Sequence, residues 1–184
     1  MLRTCALALA AMTLAAPAGC RRSKHSRVAS FTPPPLPAGF VERNGTGWRV
    51  AIPSTWKDVA QKDVAVWAVT DPQAADEFHA KVFVLTEPSA SDSFDYAQAS
   101  EAGLRKEARA TVDVSRDEVV DGDPTLVIET RWAPAPSSAP YRTMQTALSS
   151  RGTGYVVTCA ASASAFERYR STCESIVRSF AVER

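Results

Sequence analysis

The chain has 184 residues, 45% of them hydrophobic and 22% charged, with a formal net charge of +1. Those are the proportions of one globular domain plus a leader or linker, and they exclude a disordered chain. The near-zero charge removes the global basic field that would argue for nucleic acid, so no nucleic-acid partner is expected.

The informative end is the first. Arg3 supplies a short positive region, and Cys5 to Ala16 is an uncharged, Ala-rich run of twelve residues. A bilayer-spanning helix needs about 20 apolar residues, so this run suits the apolar part of a signal peptide. Two cleavage readings compete. Ala16-Pro17-Ala18 is an A-x-A site, whereas Ala18-Gly19-Cys20 fits a bacterial lipobox in which Cys20 is lipidated and becomes the first mature residue. Pro17 stands where the lipobox usually has Leu.

The cysteine count bears on the choice. Without Cys5, three remain: Cys20, Cys159 and Cys173. An odd number in an oxidising compartment leaves one thiol needing its own explanation. Lipidation of Cys20, with a palmitate-type acyl group, supplies one. The expected organisation is a signal peptide over 1–19, a lipid-anchored tether over 20–39 and a globular domain over 40–184.

The tether is basic at first (Arg21, Arg22, Lys24, Arg27) and then Pro-rich (Pro33, Pro34, Pro35, Pro37), which favours extended backbone. Its charge suits either a solvated linker or attraction to anionic headgroups. His25 lies in it without a companion ligand.

Asn44 to Trp48 reads as a turn feeding a strand over 48–52, where Trp48, Val50 and Ile52 alternate onto one face and Pro53 ends the run. Residues 64–70 and 81–87 are dense, β-branched runs expected at the centre of a sheet. From Phe94 to Arg109 the period turns helical, with Phe94, Ala97, Leu104 and Ala108 on one face and N-cap candidates in Ser91 to Ser93. Two strands, 111–120 and 125–132, flank the turn at Asp121 to Pro124. In the second, Leu126, Ile128, Thr130 and Trp132 alternate with Val127, Glu129 and Arg131, which describes one buried and one wetter face. A loop over 133–140 precedes a hairpin of 141–150 and 154–161. A closing helix follows, with Ser164 and Glu167 at capping-box spacing. Its stripe is Phe166, Tyr169, Cys173, Ile176, Val177 and Phe180.

Cys173 lies on that stripe, and Cys159 shares a strand face with Tyr155 and Val157. If the helix folds back over the strand, both sulfurs point into one interface. A disulfide, two buried free thiols and a redox-active pair are the readings; no Cys-X-X-Cys motif supports the last.

Catalytic parts are few. His79 stands near Asp76 and Glu77 without a second His or Cys, so a solvated loop is the simpler reading than a metal site. Ser54 has no identifiable base. Asp121 and Asp123 suit turn geometry better than an acid/base pair. Trp48, Trp56, Trp67 and Trp132 follow strand spacing and suit burial. No cofactor, metal or catalytic residue is expected.

Gly47 to Lys57 ("GWRVAIPSTWK") resembles the opening strand and turn of PsbP-like proteins, and Gly154 to Phe180 resembles their closing strand–helix unit ending in Ser-Phe. The resemblance implies an α+β fold, an α/β/α sandwich around a mostly antiparallel sheet of about six or seven strands. It also implies non-enzymatic roles. Three functions are weighed: a lipid-anchored accessory or interaction protein of the bacterial envelope with an unknown protein partner, a binding module for a small apolar ligand, and an enzyme. Arg21 follows Cys20 in place of the Asp that in many bacteria keeps lipoproteins at the inner membrane, which points to the outer one.

Overall fold

The computed structural model describes residues 27–28, 31–60, 65–73, 78–133 and 139–184. The expected leader, Cys20, His25, Asp76 and Glu77 lie outside the described residues.

Ten strands and two helices follow in chain order: β1 Phe40–Gly45, β2 Trp48–Pro53, β3 Lys57–Asp58, β4 Trp67–Thr70, β5 Lys81–Pro88, α1 Ser93–Lys106, β6 Ala110–Val120, β7 Asp123–Trp132, β8 Tyr141–Ser150, β9 Thr153–Ser162, α2 Phe166–Ser179 and β10 Ala181–Val182. Seven form one sheet in the order β3-β4-β5-β9-β8-β7-β6, antiparallel at every joint. The other three form a small sheet, β1-β2-β10. This is the expected α+β sandwich, with α1 on one face of the large sheet and α2 plus the small sheet on the other. Among the described residues no helix is long and apolar enough to cross a membrane.

Local chemistry explains the elements. The turns at Asp121-Gly122 and Arg151-Gly152 have positive φ at both central residues (51° and 81°, 51° and 80°), the geometry whose twist matches a tight antiparallel hairpin. Asp92 caps α1 by accepting from Asp95 N at 2.9 Å. The helix ends at Lys106, three residues before the expected Arg109, where Glu107 turns extended and its N–H closes on Leu104 O. Ala108 therefore leaves the helical face.

Two further expectations are corrected. Ser164 and Glu167 form no capping box: α2 starts from Ala165 without a side-chain cap. The residue meant to close the box binds arginines instead, since Arg170 Nε donates to Glu167 Oε2 at 2.7 Å and Arg142 to Oε1 at 2.7 Å. Likewise the wetter face expected of β7 is confined to Arg131, which is 62% exposed. Leu126 and Ile128 pack under α1, while Val127 and Glu129 lie on the α2 side and are as deeply buried. Glu129, 2% exposed, is ringed by Arg116, Arg142 and Arg170 at 3.6, 3.3 and 2.6 Å. A carboxylate survives so deep because paired, hydrogen-bonded cations replace the water it gives up.

The main core fills the space between the large sheet and α2 with Phe166, Phe180, Ile52, Met144 and Leu148, all below 2% exposure. Cys159 on β9 and Cys173 on α2 are disulfide-bonded there, their Cα atoms 5.4 Å apart. Trp48 and Trp56 join this core, but Trp67 and Trp132 are only half-buried. Of the expected strand 64–70, Val64 lies outside the described residues and β4 starts at Trp67; β1, unforeseen in the sequence, completes the hairpin with β2.

The end of the sheet at the β6–β7 turn gathers three other segments. Val28 N donates to Gly122 O at 2.8 Å, and Arg27 Nη2 donates to Asp121 O at 2.7 Å. Arg184 Nη2 reaches Asp121 Oδ2 at 3.2 Å and Asp123 Oδ2 at 3.0 Å, while Ser93 Oγ donates to Asp123 Oδ2 at 2.8 Å. The two aspartates do shape a turn, but they also fasten the pre-domain segment, the C-terminus and the start of α1.

Two outcomes follow. In the unreduced, unfolded protein neither Cys159 nor Cys173 should take up an alkylating reagent, read by intact mass, and replacing both with Ala should remove about 3 kcal/mol by chemical denaturation, the chain-entropy value for a loop of this size. The second concerns acid. The hydrogen bond from Arg170 above all, with help from Arg142, draws Glu167 from 4.5 down to about 2 against desolvation. Burial pushes Glu118 up, but hydrogen bonds from Arg116 and Arg178 together outweigh it and leave the group low. Depressed folded-state values mean stability that is complete above the ordinary carboxylate range and is lost as pH falls towards about 2. The thermal midpoint should fall on acidification below about pH 5, and Arg170→Gln should make that fall shallower.

Candidate functional site

Helix α1 lies mainly over β6, β7 and β8 and, beyond Tyr96 at its start, leaves the β5–β9 part of the same face uncovered. A groove of about 680 Å³ fills that gap, within the range of small-molecule sites. Strand alternation sends Lys81, Phe83, Leu85 and Glu87 of β5 to this side, with Val156, Thr158 and Ala160 of β9 and Thr143 and Gln145 of β8. Antiparallel register sets these in rows. Leu85 lies opposite Val156, which is opposite Ala147; Phe83 lies opposite Thr158, which is opposite Gln145; Lys81 lies opposite Ala160, which is opposite Thr143. The floor thus grades from apolar near the β6–β7 end of the sheet to polar and cationic at the other end.

The wall is α1. Tyr96 is 6% exposed and its hydroxyl donates to Glu87 Oε1 at 2.9 Å. Burial first, then the bond and charge of Glu87, hold the phenol well above its ordinary range, so it stays neutral. The ring rests on Gly154: a β-carbon there would fall inside it, so only glycine lets α1 approach this closely. Leu104 and Ser100 continue the wall, and Gln145 Nε2 donates to Ser100 Oγ at 3.3 Å.

Aromatic rings mark the opposite end. Tyr141 stacks between Trp132 and Phe78, with centroids 5.8 and 5.4 Å away and interplanar angles of 6° and 14°. Trp132 Nε1 donates to Thr143 Oγ1 at 3.3 Å. Lys81 Nζ sits 5.1 Å from the Phe78 centroid, an attractive cation–ring arrangement, and no carboxylate pairs with it among the described residues.

The residues singled out in the sequence lie elsewhere. Cys159 and Cys173 sit on the opposite face of the sheet. His79 is exposed, its Nδ1 2.8 Å from Asp71 O. Ser54 has its backbone N bonded to Gly39 O. Among the described residues no three His, Cys, Asp or Glu side chains gather as a metal site would require. Trp132 is the one tryptophan of the four that lines the groove. Tyr96, Lys81 and Gln145 were not legible as a set, because nothing in a strand's own pattern says which neighbour a helix leaves bare.

No protein-family model and no curated protein matches the chain. Solved structures do. Cyanobacterial PsbP (CyanoP) from Synechocystis sp. PCC 6803 is 15% identical, with a TM-score of 0.54 over 80% of this chain and 94% of that one. LpqN, involved in cell envelope biogenesis in Mycobacterium tuberculosis, is 11% identical, with a TM-score of 0.60 over 79% and 90%. PA94 of Pseudomonas aeruginosa, a protein of unknown function, is 14% identical at 0.54 over 79% and 97%. At such identities the likeness establishes the PsbP-like fold.

Gly154→Ala should drive the Tyr96 ring off the sheet and loosen α1. The expected loss is about 1–3 kcal/mol, as for other overpacked contacts. Thermal unfolding would give the loss, and faster amide exchange across α1 than across α2 would localise it.

Proposed function

We propose that this chain is a non-enzymatic accessory protein of the bacterial envelope, held by a lipid on Cys20, whose folded domain works as a binding module through the groove beside α1. The groove is the observation that carries the reading. Of the two non-enzymatic functions open at the level of sequence, protein partner or small ligand, a formed cavity of about 680 Å³ favours the second.

Its chemistry supports binding over turnover. Tyr96, Gln145 and Trp132 each engage their polar atom with a neighbour, which orients the wall and floor but offers no nucleophile beside a base. The envelope setting has two supports: the signal-like leader with its lipobox cysteine, and a structural neighbour concerned with envelope biogenesis.

The docked segment at Arg27 and Val28 gives the anchor a geometry. Cys20 and Arg27 are seven positions apart in the chain, a reach of at most about 25 Å in full extension. That would place the β6–β7 end of the sheet towards the bilayer. β7 runs ten residues, about 33 Å, from there to Trp132, so the aromatic end of the groove would face away from the lipid.

Cys20→Ser should move the protein from the membrane to the soluble fraction, with loss of the acyl mass from the N-terminal peptide. Unchanged membrane retention together with an unmodified native N-terminus would defeat the anchor.

A further inference from the structure

The groove is electrically lopsided, and its two ends differ in more than sign. Lys81 and Glu87 occupy the same face of β5, six residues and about 20 Å apart. Glu87 is exposed as well, but it accepts from the Tyr96 hydroxyl beside the start of α1. Lys81 lies at the aromatic end, is exposed, and among the described residues has the Phe78 ring as its one partner. Between them the floor and wall are Phe83, Leu85, Leu104 and Val156. The hydroxyl of Tyr141, which lines the same end, has no hydrogen-bond partner among the described residues, and burial of that phenol favours its neutral, donating form.

We propose that the groove takes a single-chain amphiphile with one acidic head, a long-chain carboxylate, lying with its head at Lys81 and Tyr141 and its chain along Phe83, Leu85 and Leu104. This rests on the binding-module reading above and adds the ligand class and its direction. Charge selects the class. Among the described lining residues a cationic head has no carboxylate to meet at the Lys81 end, since the groove's own acid, Glu87, lies at the other end beside Tyr96. A second anion at the far end would meet Glu87, so a chain acidic at both ends is disfavoured. A neutral head gains no charge-assisted hydrogen bond, which is roughly twice as strong as a neutral one. The polar strip of Thr143, Gln145 and Thr158 lies in the rows next to the head and leaves the Leu85–Val156 row for the chain.

Titration calorimetry of the full chain in detergent-free buffer, with decanoate, decanol and decyltrimethylammonium below their micellar concentrations, tests this. Decanoate should bind about tenfold more tightly than decanol, the worth of one charge-assisted contact. Lys81→Glu should remove that advantage and leave decanol within about twofold of its original affinity. Leu104→Trp, which fills the groove, should abolish all three, with an unchanged thermal midpoint showing that the variant is folded. Equal affinities for decanoate and decanol, or a decanoate preference that survives Lys81→Glu, would overturn the acidic-head assignment while leaving a binding groove. No binding of any of the three would overturn the groove reading and the ligand class together.

Discussion

A helix about 10 Å across shields two or three strands of a sheet whose strands stand about 4.8 Å apart. The large sheet here has seven. One face solves the mismatch with two elements, since α2 and the small β1-β2-β10 sheet together close over it and leave a continuous core. The other face has α1 alone. Its own cluster of Tyr96, Ala97, Leu126, Ile128 and Ala147 covers the side towards β6–β8 and ends on β9 at Gly154 and Val156. The groove is the remainder of that cover, and its floor residues are placed by strands whose opposite side is fixed in the main core. Val82, Val84 and Val157, fully buried on that opposite side, hold Phe83, Leu85 and Thr158 outward. The site is thus built on rigid sheet rather than on loops, which is how a binding surface keeps its geometry.

The closed face tolerates a buried charge for a specific reason. Glu129 belongs to the row of β7 residues that meets α2, and three arginines from β6, β8 and α2 converge on it. Arg142 and Arg170 also lie over the Phe166 ring, at 4.6 and 5.3 Å, so their planar heads are packed as well as paired. An isolated carboxylate there would be strongly unfavourable, and an apolar substitute could be as stable as the whole cluster. What the cluster adds is direction: three forked donors meeting one carboxylate admit few alternative placements of α2 over the sheet.

The parts of this fold that were legible in the sequence were those set by local periodicity. Trp48, Val50 and Ile52 alternate as a strand must, and Phe166 to Phe180 recur as a helix must, so both elements lie where the pattern puts them. The errors lie where tertiary contacts override a local signal. Ser164 and Glu167 had capping-box spacing, but Arg142, which is 25 residues away, competes for the carboxylate. Glu129 reads as solvent-facing from its own strand because its burial is supplied by arginines from three other segments. β1 was missed because "FVERNG" alternates only weakly and is held by its pairing with β2. The groove is a harder case again. Lys81 to Glu87 reads as a strand at the centre of a sheet, and the composition of such a strand is the same whether its second face is covered by a helix or left to a groove.

The same limit explains why Asp121 and Asp123 carry more than their turn. A tight hairpin turn favours an Asp-Gly pair at the bend, and that preference accounts for Asp121 at φ 51° and Gly122 at 81°. It does not account for both carboxylates being nearly buried with Arg27, Arg184 and Ser93 upon them. Those contacts join the chain before the domain, the last residue and the first turn of α1 at one end of the sheet. The consequence is mechanical. The segment leading back to Cys20 leaves from the same point that fixes the start of the groove's helical wall, while the Lys81 end lies across the length of β7. A lipid on Cys20 would therefore restrain the domain through its best-fastened corner and leave the aromatic end of the groove open to the aqueous side. A ligand entering head-last, with its acid at Lys81, would keep its charge on that open side and its chain against the floor nearer the anchored end.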